Sequence, residues 1–162
     1  MAPSPLWVMW TNTPVAEYAK RVIQLEGQQD KIFKLALDNK TIKELVIDLN
    51  TEKQLKTQHV DSKGNKLFNK LTQRSVYAPS DPLGRGGQPY EVFRTGDYYN
   101  SFRVVVGNGV ITITSAPEKK TNNLFEVYTP DIEGLTDENL QILINEALEQ
   151  FINWYRRNVL PR

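Results

Sequence analysis

Apolar and polar positions along the chain predict helices toward both ends and a β segment between them. Within Val110–Thr114, isoleucines and threonines alternate, the period of a strand with one buried face. Arg103-Val104-Val105-Val106 precedes it, and Gly107-Asn108-Gly109 lies between. A Gly-Asn-Gly tip supplies the positive φ angles that a tight hairpin requires, so an antiparallel hairpin is predicted near 103–114. Immediately upstream, Thr95 can cap a short turn of helix and Gly96 lets the chain bend at little steric cost. Thr95, Gly96 and Ser101 are the residues expected to set the turn that feeds the hairpin.

Toward the N-terminus, Thr13-Pro14 reads as a helix start, with Thr as cap and Pro where a missing N–H costs nothing. Val15, Tyr18, Ala19, Val22 and Ile23 follow at helical spacing until Gly27 interrupts. Lys31 to Leu37 is a second helical run, and Asp38-Asn39-Lys40 breaks it. Thr41-Ile42-Lys43-Glu44 matches a capping box, and Thr51-Glu52-Lys53-Gln54 repeats the pattern, so the helix can restart after Asn50. Asp61 to Asn65 is a turn, and Leu67 to Val76 fits strand or irregular chain. The stretch 78–89 holds three prolines and three glycines and reads as an extended surface loop. Glu118 to Asn123 is a polar turn, followed by the short apolar cluster Leu124, Phe125, Val127 and Tyr128.

The strongest helix signal comes last. Thr136 caps it, Asp137 and Glu138 sit at its positive end, and Arg156 and Arg157 sit at its negative end. Leu140, Ile144, Ala147, Leu148, Phe151 and Tyr155 line one face, widened by Leu143, Ile152 and Trp154. A helix that apolar is buried or docks a partner. Together these elements predict an α+β domain with N-terminal helices, a small antiparallel sheet, and a long C-terminal helix packed across the sheet. Residues 13–162 form a single domain in this reading, preceded by an apolar arm at 1–12. Leu6, Trp7, Val8, Met9 and Trp10 in that arm are too apolar to leave comfortably in water. They pack either on their own domain or on a neighbouring subunit.

Composition narrows the chemistry. The chain has 162 residues, no Cys and one His. Disulfides, thiolate metal sites and two-histidine metal motifs are excluded. No signal peptide and no run of about 20 apolar residues is evident, so synthesis in a cytoplasm is expected. A net charge of +1 argues against a dedicated nucleic-acid binder. Basic residues nevertheless gather in one stretch: Lys53, Lys56, Lys63, Lys66, Lys70 and Arg74. That stretch is either a solvated face or a surface near phosphate. His59 lies in a polar stretch and reads as a surface residue. Asp61-Ser62-Lys63-Gly64-Asn65 lacks the alternate acidic ligands of a calcium loop, and Gly84-Arg85-Gly86-Gly87 lacks the Gly-Lys-Ser/Thr of a phosphate loop. No catalytic residue, cofactor or metal is expected.

Thr95-Gly96-Asp97-Tyr98-Tyr99-Asn100-Ser101-Phe102 before a Gly-Asn-Gly hairpin resembles a motif of tail-completion and neck proteins of tailed bacteriophages. Val60-Asp61-Ser62-Lys63-Gly64-Asn65 is similar to their "hydrophobic-Asp-x-x-Gly" turn. Ile132-Glu133-Gly134-Leu135-Thr136-Asp137-Glu138 is similar to the entry of their last helix. The similarity spans roughly 41–156 and is greatest to versions in phages of gut Bacteroidetes; the Trp-rich arm at 1–12 departs from the pattern. The resemblance implies a structural virion protein that joins the DNA-filled head to the tail as a ring around the portal axis. Its implied partners are copies of itself, a portal or adaptor protein and tail proteins, with non-specific contact with packaged DNA and no membrane. On that reading Trp7, Trp10, Tyr98 and Tyr99 are candidate subunit contacts. Lys53, Lys56, Lys63, Lys66, Lys70 and Arg74 are candidates to face the DNA channel. Two other readings compete: a metal-dependent hydrolase or nuclease of a mobile element using Asp97 and a second carboxylate, and a monomeric adaptor that binds a partner through the C-terminal helix.

Overall fold

The computed structural model describes residues 20–24, 26–92, 96–107, 109–118 and 123–159. The arm at 1–12 with Trp7 and Trp10, the helix start at Thr13-Pro14, Thr95 and Asn108 lie outside these residues. The fold is α+β. Residues 20–24 are helical. They precede α1 (Gln29–Leu37) and α2 (Lys40–Asp48), which continues without a break into a π-helical segment, Leu49–Gln58. An irregular stretch leads to a short helix α3 (Asp97–Asn100) and the hairpin strands β1 (Arg103–Gly107) and β2 (Val110–Thr114). A one-turn helix α4 (Leu124–Val127), a 3₁₀ turn (Pro130–Ile132) and the long α5 (Asp137–Asn158) complete the chain.

The hairpin follows its pattern. Val104 pairs with Ile113 and Val106 with Ile111, so these four share the inner face, while Arg103–Thr114 and Val105–Thr112 share the outer one. Gly109 takes φ +70°, the angle that closes the two-residue tip. α1 and α2 pack on β1, and α5 packs on α1, α2 and the π-helical segment. Leu143 carries α5 into the core beneath the sheet, where it joins Ile42, Val46, Val104 and Val106. A second core gathers Leu55, Leu67, Tyr90, Tyr98, Phe102 and Ile132. Ile47 and Ile113 touch both cores and join them.

Two helix starts differ from the sequence reading. α2 is capped by Asn39, whose Oδ1 accepts from the Ile42 N–H at 3.0 Å, rather than by a Thr41–Glu44 box. Asn39 wins because its Nδ2 also donates to the Ala36 carbonyl and to Gln150 Oε1, tying α1, α2 and α5 together. No helix restarts at Thr51. Its hydroxyl donates back to the Ile47 carbonyl at 2.8 Å, inside a turn that is already helical.

Buried amides set the entry to α5. Asn50 Nδ2 donates to the Ile132 carbonyl, and the Gly134 N–H donates back to Asn50 Oδ1. Gln54 Nε2 donates to the Gly134 carbonyl, and Gln54 Oε1 accepts from the Thr136 N–H at 2.9 Å. Asn50, Gln54 and Asn139 are fully buried. A buried amide without partners is costly, so two glutamine and asparagine side chains that satisfy a whole loop fix that loop's position. The stretch 78–89 is also fixed. Its ends meet at the Val76–Pro89 bridge, and Asp81 and Tyr77 hold Arg85, whose guanidinium lies 3.8 Å from the Tyr77 ring centre.

Candidate functional site

α5 is built as the sequence predicts and then left half uncovered. Thr136 Oγ1 accepts from the Asn139 N–H, Asp137 and Glu138 lie in its first turn, and Arg156 and Arg157 lie in its last. Leu143 is buried, yet Leu140, Ile144 and Leu148 on the same stripe remain 44%, 48% and 53% exposed. α1 faces them with Ile32, Phe33 and Ala36, and the hairpin tip contributes Gly109, Val110 and Ile111. Between these three walls runs a groove of about 750 Å³. Every residue lining it is apolar or glycine. A smaller hollow of about 450 Å³ shares Ile111, Leu140 and Leu143 with the groove and continues it toward Glu133 and Gly134. Ile111, Thr112 and Ile113 all line that hollow. Successive strand side chains point to opposite faces, so a hollow touching all three runs along the edge of β2.

The groove holds no titratable, nucleophilic or metal-ligating atom, so its chemistry is that of contact: it takes apolar side chains out of water. Among the described residues, no group of three or more His, Cys, Asp or Glu side chains is placed to hold a metal ion. Among the same residues no helix is long and apolar enough to cross a membrane.

The residues singled out from sequence divide into three groups. Gly96 and Ser101 make the turn before the hairpin. Gly96 takes φ +80° at the start of α3. The Ser101 hydroxyl donates to the Tyr98 carbonyl at 2.6 Å and accepts from the Ala116 N–H at 2.9 Å, which fastens α3 to the chain leaving β2. Tyr98 and Tyr99 are corrected: at 2% and 7% exposure they face the chain's own core and offer no surface to a sister molecule. The Tyr98 ring meets Phe102 edge-on and Tyr99 at a tilt, and the three hold α3 against the second core. Burial pushes the hydroxyls of Tyr98, Tyr99 and Tyr128 well above the ordinary tyrosine range.

Three of the six basic residues are paired with carboxylates. Lys53 pairs with Glu138, Lys56 with Glu52 and Lys63 with Asp131. The Lys63 ammonium bonded to Asp131 holds that carboxyl below its usual range. Lys66, Lys70 and Arg74 are exposed. Asp61 is buried in its turn and accepts from the Lys63 and Asn65 N–H groups, both at 2.9 Å. His59 sits in left-handed backbone with Nδ1 3.2 Å from the Tyr90 carbonyl.

Sequence reasoning marked the α5 stripe but missed the wall opposite it. Ile32, Phe33 and Ala36 recur at helical spacing in α1, which shows an apolar face and not what that face meets. No protein-family model matches the chain, and neither do the curated proteins or the solved structures.

Proposed function

We propose that the chain is a structural protein of the phage neck, assembling as a ring that connects the portal and head to the tail. The observation that carries this reading is the apolar groove walled by α1, α5 and the hairpin tip. Monomeric proteins rarely leave so apolar a patch in water unless it is a contact surface. Its lining has no side chain with which to polarise or attack a substrate, and it suits the burial of another chain's side chains. The three motifs at 60–65, 95–102 and 132–138 add the choice of assembly. Ser101 and Gly96 in the second motif hold the turn that places the hairpin tip over the groove. Asn50 and Gln54 hold the third motif at the head of the helix that forms the groove's opposite wall.

The test is made on particles. Mass spectrometry of purified virions is expected to find the chain, and reconstruction is expected to place it as a closed ring between portal and tail. Leu148→Glu, a change at an exposed position, is expected to leave the isolated chain folded and to yield heads without tails. Absence of the chain from complete particles would remove the reading. A stable one-to-one complex with a host protein at α5 would replace it with the adaptor reading.

A further inference from the structure

We propose that the cavity lined by Gln58, His59, Lys66 and Ser75 binds a phosphate monoester in its proton-bearing form, as a small molecule or as the terminal phosphate of a nucleic-acid strand. The cavity shares no residue with the apolar groove, and the proposal does not rest on the ring reading.

Backbone bonds build the walls. His59 ends the π-helical segment in left-handed backbone, with φ 57°, and the chain turns back on itself. The Leu67 N–H donates to the His59 carbonyl at 2.9 Å, and Val60 bridges Lys66. Opposite them Val76 bridges Pro89, and the Tyr90 N–H donates to the Ser75 carbonyl. His59 Nδ1 lies 3.2 Å from the Tyr90 carbonyl and joins the two sides. The cavity between them is about 290 Å³, at the small end of the range that holds small molecules.

Gln58 selects the ligand. Its Oε1 is buried and has no hydrogen-bond partner among the described residues. The other end of the amide is committed to Glu138, whose carboxyl is held below its usual range chiefly by Lys53, with the Gln58 amide adding to it. A carboxylate only accepts, so Nε2 faces Glu138 and Oε1 is the end left over. A buried acceptor without a donor is costly, so the cavity calls for a ligand that donates there. Lys66 calls for negative charge. It is exposed and, unlike Lys53, Lys56 and Lys63, pairs with no carboxylate among the described residues. The Ser75 hydroxyl can donate as well. The Tyr90 carbonyl only accepts, so Nδ1 is the donor in that pair and Nε2 is the ring's remaining polar atom.

Few ligands are anions and donors at once. A carboxylate or a sulfate ester brings acceptors alone and would set a lone pair against Oε1. A singly charged phosphate monoester brings both. Its ionised oxygens suit Lys66 and Ser75, its P–OH donates to Oε1, and its carbon substituent suits Leu67, Val76 and Pro89. A phosphodiester inside a strand has no such proton, so only a strand's end qualifies.

His59 is the chain's only histidine, so its imidazole gives one NMR signal from the site. The full chain is titrated near pH 6, where about half of a monoester keeps its proton. The probes are ethyl phosphate, ethyl sulfate of the same shape without the proton, and an oligonucleotide with and without a terminal phosphate. Ethyl phosphate is expected to give a saturable shift at least roughly tenfold tighter than ethyl sulfate. Gln58→Met, close in size and without the amide oxygen, is expected to bring the two within about twofold of each other. Lys66→Gln is expected to weaken both at least roughly fivefold, and Lys70→Gln, exposed and outside the cavity, neither. Equal affinity for ethyl phosphate and ethyl sulfate in the native chain would overturn the proposal, as would a shift that fails to saturate by about 50 mM. Should Gln58→Met not fold, the native ratio and Lys66→Gln decide. Tighter binding of the phosphorylated oligonucleotide than of ethyl phosphate and of its unphosphorylated twin supports a strand's end as the source; weaker binding supports a small molecule. Oligonucleotides that bind alike with either end, and better than ethyl phosphate, would overturn the proposal in favour of a surface for strands.

Discussion

Gln54 shows how much one side chain can hold. Its amide is fully buried and satisfies both the Gly134 carbonyl and the Thr136 N–H, so it fixes the loop that starts α5. Gln54→Ala is expected to cost roughly 2–4 kcal/mol, because two buried backbone groups lose their partner and a cavity remains. A urea titration monitored by circular dichroism measures it, and a loss under about 1 kcal/mol would show that the amide is not a fastening. The buried tyrosines make a separate claim about pH. Tyr98, Tyr99 and Tyr128 hold their protons more tightly folded than unfolded, because burial disfavours the phenolate. The stability they confer is therefore complete below the unfolded value of 10 and declines as pH rises above it toward the raised folded values. Urea midpoints are expected to hold steady from pH 8 to about pH 9.5 and then fall. Tyr98→Phe is expected to make that fall shallower, and a flat profile up to about pH 11.5 would contradict the assignment.

Single elements show what pattern encodes and what it leaves open. The hairpin was legible because strand alternation, a glycine tip and the preceding turn are local, and each constrains the same few residues. The start of α5 was legible for the same reason: Thr136, Asp137 and Glu138 cap and complement the helix end from its own first turn, whereas the hold of Gln54 on the loop before it was not legible. The start of α2 was not. Two plausible caps, Asn39 and Thr41, lie two residues apart, and the choice is made by Gln150 on α5 and Ala36 on α1, which sequence does not place nearby. Asn39→Ala is accordingly expected to cost about 1–2 kcal/mol, and Thr41→Ala, at an exposed position, under about 0.5 kcal/mol. Parallel urea melts decide it; equal losses would return the cap to Thr41. Tyr98 and Tyr99 failed as surface candidates by the same logic. An aromatic pair reads alike from sequence whether it meets a sister chain or, as here, Phe102 and the chain's own core.

For the whole molecule, the α+β class followed from the order of periodic segments, whereas the groove did not, since periodicity says which side of a helix is apolar and not what covers it. On the ring reading, the groove is one half of a contact, and Trp7 and Trp10 in the apolar run at 6–10 are the candidates for the other. Two unlike surfaces on one chain make a heterologous contact, which propagates and closes only if every copy offers both. That logic makes a prediction no single variant can test. A chain with Trp7→Asp and Trp10→Asp keeps its groove and loses its arm; a Leu148→Glu chain keeps its arm and loses its groove. Neither alone is expected to assemble under conditions where the native chain does. Mixed in equal amounts, the intact arm of the second enters the intact groove of the first, and the pair has nothing left with which to grow. Sedimentation is then expected to show dimers and no rings. Rings from either variant alone would show that assembly runs through another surface. A mixture that stays monomeric would show that arm and groove do not meet between copies, because in a head-to-tail contact the one intact pair is enough to hold two chains together.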